Sequence, residues 1–191
     1  MGIVVLLVLG LAVLAVAAAR VIRAGRRAAQ GERIRLAQEA RLQARRSLDV
    51  VWAMGDREFE EHVAKLCRRD GCTRVQRVGG RADLGADVIG WMRDGRKLVV
   101  QCKRYAKHRT VGSPDLQKFN GTVRSEHGAD IALFVASCVF TRHARAFAAR
   151  HQLTLIDVDL LGFWHSGTPL DKLLDLDIGS SGTHRKLQPD R

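Results

Sequence analysis

Three polar side chains on a predicted β-hairpin carry residue types suited to phosphodiester hydrolysis. Asp87 lies on the first strand, and Gln101 and Lys103 lie two residues apart on the second. Residues two apart point to the same face of a strand, and the Asp-Gly turn at 94–95 brings Asp87 opposite residues 101–103. Oxygen ligands of this kind hold a hard cation such as Mg²⁺, while an ammonium can orient the attacking water. The spacing is compatible with a metal-dependent hydrolytic site, although such residues on an amphipathic hairpin usually form only its solvated face.

Other residues near this hairpin extend the candidate site. Glu60 lies at the edge of the apolar stripe of a preceding helix, where its carboxylate either faces the sheet or is an ordinary surface group. The loop at 79–85 contains three glycines, which would let the backbone approach a phosphate closely. Basic side chains in this loop and after the second strand are candidate phosphate contacts, with a solvated basic loop as the alternative: Arg81, Arg104, Lys107 and Arg109.

The hydrophobic patterning predicts the elements that position these residues. Helix signals alternate with short β patterns, and the stretch at 131–137 is apolar enough to be a strand buried on both faces. The order predicts an α/β fold whose mixed sheet contains a central antiparallel hairpin and is flanked by helices. The predicted helices are 56–69, 113–125 and 141–151, and the predicted strands are 73–78, 86–92, 97–103, 131–137 and 153–157.

The composition and the net charge of the chain limit the classes of partner that we expect. The chain has 191 residues, 46% of them hydrophobic, which excludes a wholly disordered protein. The 32 Lys and Arg residues against 20 Asp and Glu residues leave a net charge of +12, which favours nucleic acid or an anionic membrane surface as partner. The four cysteines form no CxxC pair, so we expect reduced, mostly buried thiols and no zinc site.

An uncharged stretch at residues 2–19 predicts a transmembrane helix, since 18 residues rising about 1.5 Å each span roughly 27 Å. Arginines follow it directly, so the positive-inside rule predicts a retained single-pass anchor with the remaining chain cytoplasmic; a cleaved signal peptide is the alternative. The predicted divisions are a transmembrane anchor at 1–22, a basic helical stalk at 23–50, a catalytic domain at 51–165 and a polar tail at 166–191, with a short helix possible at 169–176.

Several motifs in order resemble a known family. They are EFEEHVAKLCRRDGC, VGGRADLGADVIG, DGRKLVVQCKRY, VGSPDLQKFNG, ADIALFVASCVFT and LTLID, and they cover about residues 52–164. The series resembles the Mrr-like catalytic domain of type IV restriction endonucleases, in the PD-(D/E)xK nuclease superfamily. The resemblance implies a restriction-endonuclease-like sandwich.

The same resemblance implies roles for individual residues. Asp87 becomes the metal-binding aspartate, Gln101 takes the place of the usual glutamate, and Lys103 becomes the catalytic lysine. The backbone carbonyl of Cys102 would also face the metal, and Glu60 would complete the site through water. The implied reaction is hydrolysis of DNA by a metal-activated water that attacks in line and leaves a 5′-phosphate.

Neutral Gln101 leaves the site with about two negative charges rather than three, so we predict a millimolar requirement for Mg²⁺ or Mn²⁺. The sequence as a whole predicts a membrane-anchored, metal-dependent DNA endonuclease. One alternative is an inactive nuclease-fold module that binds DNA or a protein at the membrane, and another is a nuclease for branched DNA or RNA. Cleavage of both strands usually takes two active sites, which makes a homodimer plausible.

Overall fold

The computed structural model describes residues 2–80 and 84–180; for residues 3–19 and 176–180 it describes the backbone alone. The chain divides into two compact units, residues 1–42 and 43–191. The first unit lies within a single helix, α1 (Gly2–Arg46), and the second contains all other elements. Each unit is therefore described by itself.

Six further helices and seven strands follow α1 along the described chain. The helices are α2 (Asp49–Ala53), α3 (Asp56–Arg69), α4 (Ser113–Val123), α5 (Arg142–Arg150), α6 (Val158–His165) and α7 (Leu170–Ser180). The strands are β1 (Thr73–Arg77), β2 (Val88–Trp91), β3 (Lys97–Lys103), β4 (Thr110–Val111), β5 (Ile131–Ala136), β6 (Val139–Phe140) and β7 (Leu153–Ile156).

The central sheet is mixed, as predicted. Its strand order is β1-β2-β3-β5-β7, with β1, β2 and β3 antiparallel and β3, β5 and β7 parallel. Strands β2 and β3 form the predicted hairpin, in which Val88 pairs with Val100. Both β4 and β6 are two residues long and pair with each other in a small parallel sheet. The mixed α/β architecture with a central hairpin is confirmed.

Alternating side chains of the sheet fill two cores, one on each face. Leu98, Val100 and Cys102 of β3 pack with α3, α6 and α7, whereas Val99 packs with α4 and α5 on the other face. Because neighbouring residues of a strand face opposite ways, Gln101 and Lys103 share the α4 face with Val99. Burial of the even-numbered positions against α3 thus orients the polar pair toward α4.

The packed unit extends beyond the predicted limits at 51 and 165. Ala44 and Leu48 are buried upstream of this range, and Leu170 and Leu173 are buried downstream of it. The side chains of Leu170, Leu173 and Leu174, in the predicted polar tail, therefore belong to the core. The helix predicted at 169–176 is present and extends through Ser180 as α7.

Within the described part of the chain, no helix has the length and apolar character needed to cross a bilayer. The side chains of residues 3–19, on which the predicted anchor depends, lie outside that description.

Candidate active site

Asp87 is held against β3 by backbone and side-chain hydrogen bonds. Its N–H donates to the carbonyl of Val100 at 2.8 Å, which continues the β2–β3 ladder by one residue. Its Oδ2 accepts from the backbone N–H of Cys102 at 2.6 Å and from Nε2 of Gln101. Asp87 and Gln101 are 6% and 9% exposed, so the hairpin places two polar side chains in contact inside the fold. The predicted juxtaposition of these two residues is therefore present.

The amide of Gln101 lies between two oxygen acceptors. Its Nε2 donates to Oδ2 of Asp87 and lies 3.4 Å from the carbonyl oxygen of Cys102. Two oxygens that converge on one donor favour positive charge between them, as in a cation site. Mg²⁺ is typically bound through one or two carboxylates and keeps several waters. The donor set thus suits a divalent cation, although the described residues contain no cluster of three His, Cys, Asp or Glu side chains.

Lys103 joins this pair at an open cavity of about 360 Å³. Asp87, Gln101 and Lys103 line its sheet side. All three residues line the same cavity, which brings a carboxylate, an amide and an ammonium to the same space. An ammonium beside a carboxylate can stabilise the charge that develops on a phosphate during hydrolysis.

Helix α4 forms the opposite wall of the cavity with Asp115, Lys118 and Thr122. These residues are three and four positions apart, so they lie on one face of the helix. None of them is among the residues that the sequence singled out. Their spacing is visible in the sequence, but a polar stripe on a helix is usually solvated. Only the packing of Leu116 and Phe119 against the sheet turns this stripe toward Gln101.

The described end of the glycine-containing loop, residues 84–85, lies at one end of the cavity. Leu84 and Gly85 line it, and both have left-handed backbone angles, with φ of +47° and +84°. Thr122 Oγ1 donates a hydrogen bond to the carbonyl of Leu84, which fixes the loop to α4. A Cβ at position 85 would lie 3.3 Å from Oε1 of Gln101, so a glycine here leaves room beside the amide.

Glu60 does not line this cavity. Its Oε2 accepts from Nη1 of Arg77 at 3.0 Å, and both side chains are about one-fifth exposed or less. Burial first, then the charges of Asp87 and Glu60, raise the pKa of the Cys102 thiol well above its usual value. Glu60 therefore lies on the α3 side of the sheet, near Cys102. Asp87 and Gln101 face α4 on the other side.

The predicted phosphate contacts are occupied by interactions within the protein. Nε of Arg104 lies 3.2 Å from Oδ1 of Asp56. Nζ of Lys107 lies 2.7 Å from Oδ1 of Asp49 and 4.1 Å from the ring centroid of Trp52. These contacts attach the segment after β3 to α2 and the start of α3.

The other two predicted phosphate contacts are Arg109 and Arg81. The guanidinium of Arg109 lies 5.5 Å from the ring centroid of Tyr105, a cation–π contact. Arg81 lies outside the described residues. Neither Arg104, Lys107 nor Arg109 lines the cavity, whereas Lys118 does.

Comparison with known proteins agrees with the motifs. Residues 51–164, more than half of the chain, match the family model of Mrr catalytic domains, described as restriction endonuclease. A relative from Escherichia coli (strain K12), the type IV methyl-directed restriction enzyme EcoKMrr, is 39% identical over 90 residues. That match covers 46% of this chain and 29% of the relative, so the chain spans less than a third of that protein.

Two solved structures are also similar. The DNA modification-dependent restriction endonuclease AspBHI has a TM-score of 0.48 at 17% identity, covering 76% of this chain and 39% of its own. MspJI restriction endonuclease in complex with a 27-mer oligonucleotide has a TM-score of 0.47 at 18% identity, covering 77% and 38%. From the family match, the chain belongs to the family of Mrr catalytic domains, which is described as restriction endonuclease.

Proposed function

We propose that this protein is a divalent-metal-dependent DNA endonuclease whose active site is the cavity between β3 and α4. The convergence of Asp87, Gln101 and Lys103 on that cavity is the observation that carries the proposal. Asp87, Gln101 and the carbonyl of Cys102 would hold the cation. When bound, Mg²⁺ or Mn²⁺ supplies a Lewis acid that polarises a phosphate ester.

The side chains of the site divide the remaining work. The Cys102 N–H and the Gln101 amide hold the carboxylate of Asp87 in one orientation before substrate arrives. Such preorganisation lowers the cost of assembling charge around the phosphate. Lys103 donates hydrogen bonds to the attacking water or to a phosphate oxygen. Lys118, across the cavity, is in position to bind a neighbouring phosphate of the same strand.

Plasmid cleavage tests this proposal. The full chain is incubated with supercoiled plasmid in Mg²⁺, in Mn²⁺ and in excess EDTA, together with its Asp87→Asn variant. We expect nicked or linear product only with metal, and only with Asp87 intact. Full cleavage in EDTA would contradict the metal requirement, and wild-type cleavage by Asp87→Asn would contradict the site. Because Asp87 also accepts a hydrogen bond from the backbone, its replacement can unfold the protein. The EDTA result on the wild-type chain does not depend on that variant.

Membrane attachment and pairing are proposed on the sequence alone. The uncharged stretch at 2–19, followed by arginines, supports an anchor at residues 1–22 with the catalytic unit in the cytoplasm. A homodimer is proposed because cleavage of both DNA strands usually takes two active sites. If the anchor holds, the full chain sediments with membranes after an alkaline carbonate wash, whereas a chain lacking residues 1–22 does not. Equal release of both would contradict the anchor.

A further inference from the structure

The C-terminal end of α3 brings two cysteines together by its backbone geometry. Gly71 has φ of +89°, and its N–H donates to the carbonyl of Arg68 at 3.0 Å. The N–H of Cys72 donates to the carbonyl of Cys67, also at 3.0 Å. These two bonds define a Schellman motif, in which the side chains at the first and last of these six positions usually touch. Here both positions are cysteines, Cys67 and Cys72.

The thiols interact as the motif predicts. The proximity of the two thiols raises the pKa of Cys67 and lowers the pKa of Cys72. The Cys72 thiol also donates a hydrogen bond to Sδ of Met92, at 3.7 Å. Burial and Asp70 oppose the effect on Cys72, whereas the positive charge of Arg93 adds to it. The guanidinium of Arg93 packs directly against Gly71, where any Cβ would collide with it. Cys72 therefore lies near a cation and a second thiol, which is the environment of a reactive cysteine.

Access distinguishes the two sulfurs. Cys72 is itself largely buried, at 9% exposed, but it lines a cavity of about 450 Å³ between the end of α3, the β2–β3 turn and the start of α7. Cys67 is fully buried behind it. An oxidant entering the cavity would reach Cys72 first and would leave Cys67 as the neighbouring thiol. The other two cysteines, Cys102 and Cys138, are buried, and burial raises their pKa values.

We propose that Cys72 and Cys67 are a hydroperoxide-sensitive thiol pair that closes reversibly to a disulfide. The Cys72 thiolate attacks the outer oxygen of the hydroperoxide, the O–O bond breaks, and the released alkoxide takes a proton to leave as an alcohol or water. The sulfur of Cys67 then attacks the Cys72 sulfenic acid, and the thiol proton leaves with the hydroxyl group as water. Two thiols are oxidised and one hydroperoxide is reduced. This pair is independent of the proposed nuclease site.

Peptide mapping of the full chain tests the proposal. The reduced protein is treated with hydrogen peroxide, remaining thiols are alkylated, and the protein is digested with trypsin. Cleavage after Arg68 and Arg69 separates the two cysteines into peptides 66–68 and 70–74, which stay together only if a disulfide joins them. We expect this linked pair, 2 Da lighter than the sum of the two thiol peptides, and its loss after dithiothreitol. Persistence of both free thiols after Cys138 has been oxidised would overturn the proposal.

Variants assign the order of reaction. In Cys67→Ser the sulfenic acid on Cys72 has no partner, so a dimedone adduct should accumulate at Cys72. In Cys72→Ser, Cys67 should stay reduced, and Cys138→Ser serves as a matched control that still forms the linked peptides. A dimedone adduct on Cys67 in the Cys72→Ser variant would contradict the assigned order. The wild-type peptide map does not depend on the folding of any variant.

Discussion

Gln101 sets the charge of the proposed metal site. Its amide donates to Asp87, so the pair carries one negative charge where a glutamate would bring two. Affinity for a hard cation rises with the number of charged ligands, whereas two adjacent carboxylates repel when no cation is present. Glutamine at this position thus lowers the affinity for a cation. It also avoids repulsion between two carboxylates in the metal-free site.

Replacing Gln101 by glutamate should raise the affinity for the cation and destabilise the metal-free site. We expect Gln101→Glu to bind Mg²⁺ about tenfold more tightly, equivalent to about 1.4 kcal/mol, and to lose stability without metal. Titration calorimetry and thermal unfolding with and without Mg²⁺ measure both effects. Gln76→Glu, at an exposed position of β1, is the matched control and should change neither. An unchanged Mg²⁺ affinity in Gln101→Glu would show that residue 101 is not a ligand.

Hairpin β2–β3 was the most predictable element, and the reason is local. The Asp-Gly turn determines its register, and β3 has the predicted bounds, Lys97–Lys103. The positions of Asp87 and Gln101 opposite each other follow directly from that register. The site residues that depend only on the hairpin were therefore accessible from the sequence.

The elements and contacts that depend on long-range packing were not predictable from the sequence. Strands β4 and β6 are too short to show a period, and they pair only because the segments after β3 and β5 meet. Helix α6 was missed because Asp157 was assigned to a strand. In the structure its carboxylate caps the helix by accepting from the N–H groups of Asp159 and Leu160. Likewise, the pairing of Glu60 with Arg77 joins a helix to a strand and has no signal in spacing.

Gly162 of α6 tests whether residues before 51 belong to the folded unit. A Cβ there would lie 2.8 Å from the carbonyl oxygen of Ala44, a backbone atom that cannot move aside easily. We expect Gly162→Ala to cost about 1–3 kcal/mol. Gly121→Ala, with no atom within 4 Å of the added Cβ, should instead stabilise α4 by up to about 1 kcal/mol. Urea unfolding measures both, and equal effects would contradict the packing.

A histidine pair between α3 and α6 predicts the response to acid. Nε2 of His62 lies 3.1 Å from Nδ1 of His165. Burial, followed by the charge of His165, lowers the pKa of His62 to about 4, and burial also lowers the pKa of His165. In the unfolded chain a histidine has a pKa of about 6.5, so the unfolded state binds more protons between these values.

Stability should therefore fall as the pH drops from about 6.5 toward 4. His62→Gln keeps a polar side chain without this titration and should flatten the dependence. His143→Asn, at an exposed position of α5, should leave it unchanged. Urea midpoints from pH 4 to pH 8 measure the effect. A wild-type midpoint that stays constant over this range would contradict the burial of neutral histidines.

For the molecule as a whole, we expect DNA to follow the cavity between β3 and α4 rather than the basic segment after β3. The basic residues after β3 are bound to Asp56, Asp49 and Tyr105, whereas α4 presents Lys118 across the cavity from Lys103. A strand of DNA that reaches Asp87 would then lie between β3 and α4. The net charge of +12 favours association in general, but it does not select this groove.

The salt dependence of binding tests this path. Each phosphate contact contributes about 0.9 to the slope of log affinity against log salt concentration for duplex DNA. We expect Lys118→Ala to make the slope shallower by about this amount. Lys172→Ala, at an exposed position of α7, should not change it. Fluorescence anisotropy of a labelled duplex in EDTA gives the slopes without cleavage. Equal slopes for the two variants would remove Lys118 from the DNA path.

Single-turnover cleavage by a Lys103→Ala variant tests most directly whether the hairpin residues form one hydrolytic centre. A labelled duplex is mixed with excess protein and Mg²⁺, and the rate is compared with Lys97→Ala, which changes a lysine at the opposite end of the same strand. We expect a fall of about a hundredfold or more for Lys103→Ala and a near-normal rate for Lys97→Ala. A normal rate in Lys103→Ala, with the fold retained, would contradict it.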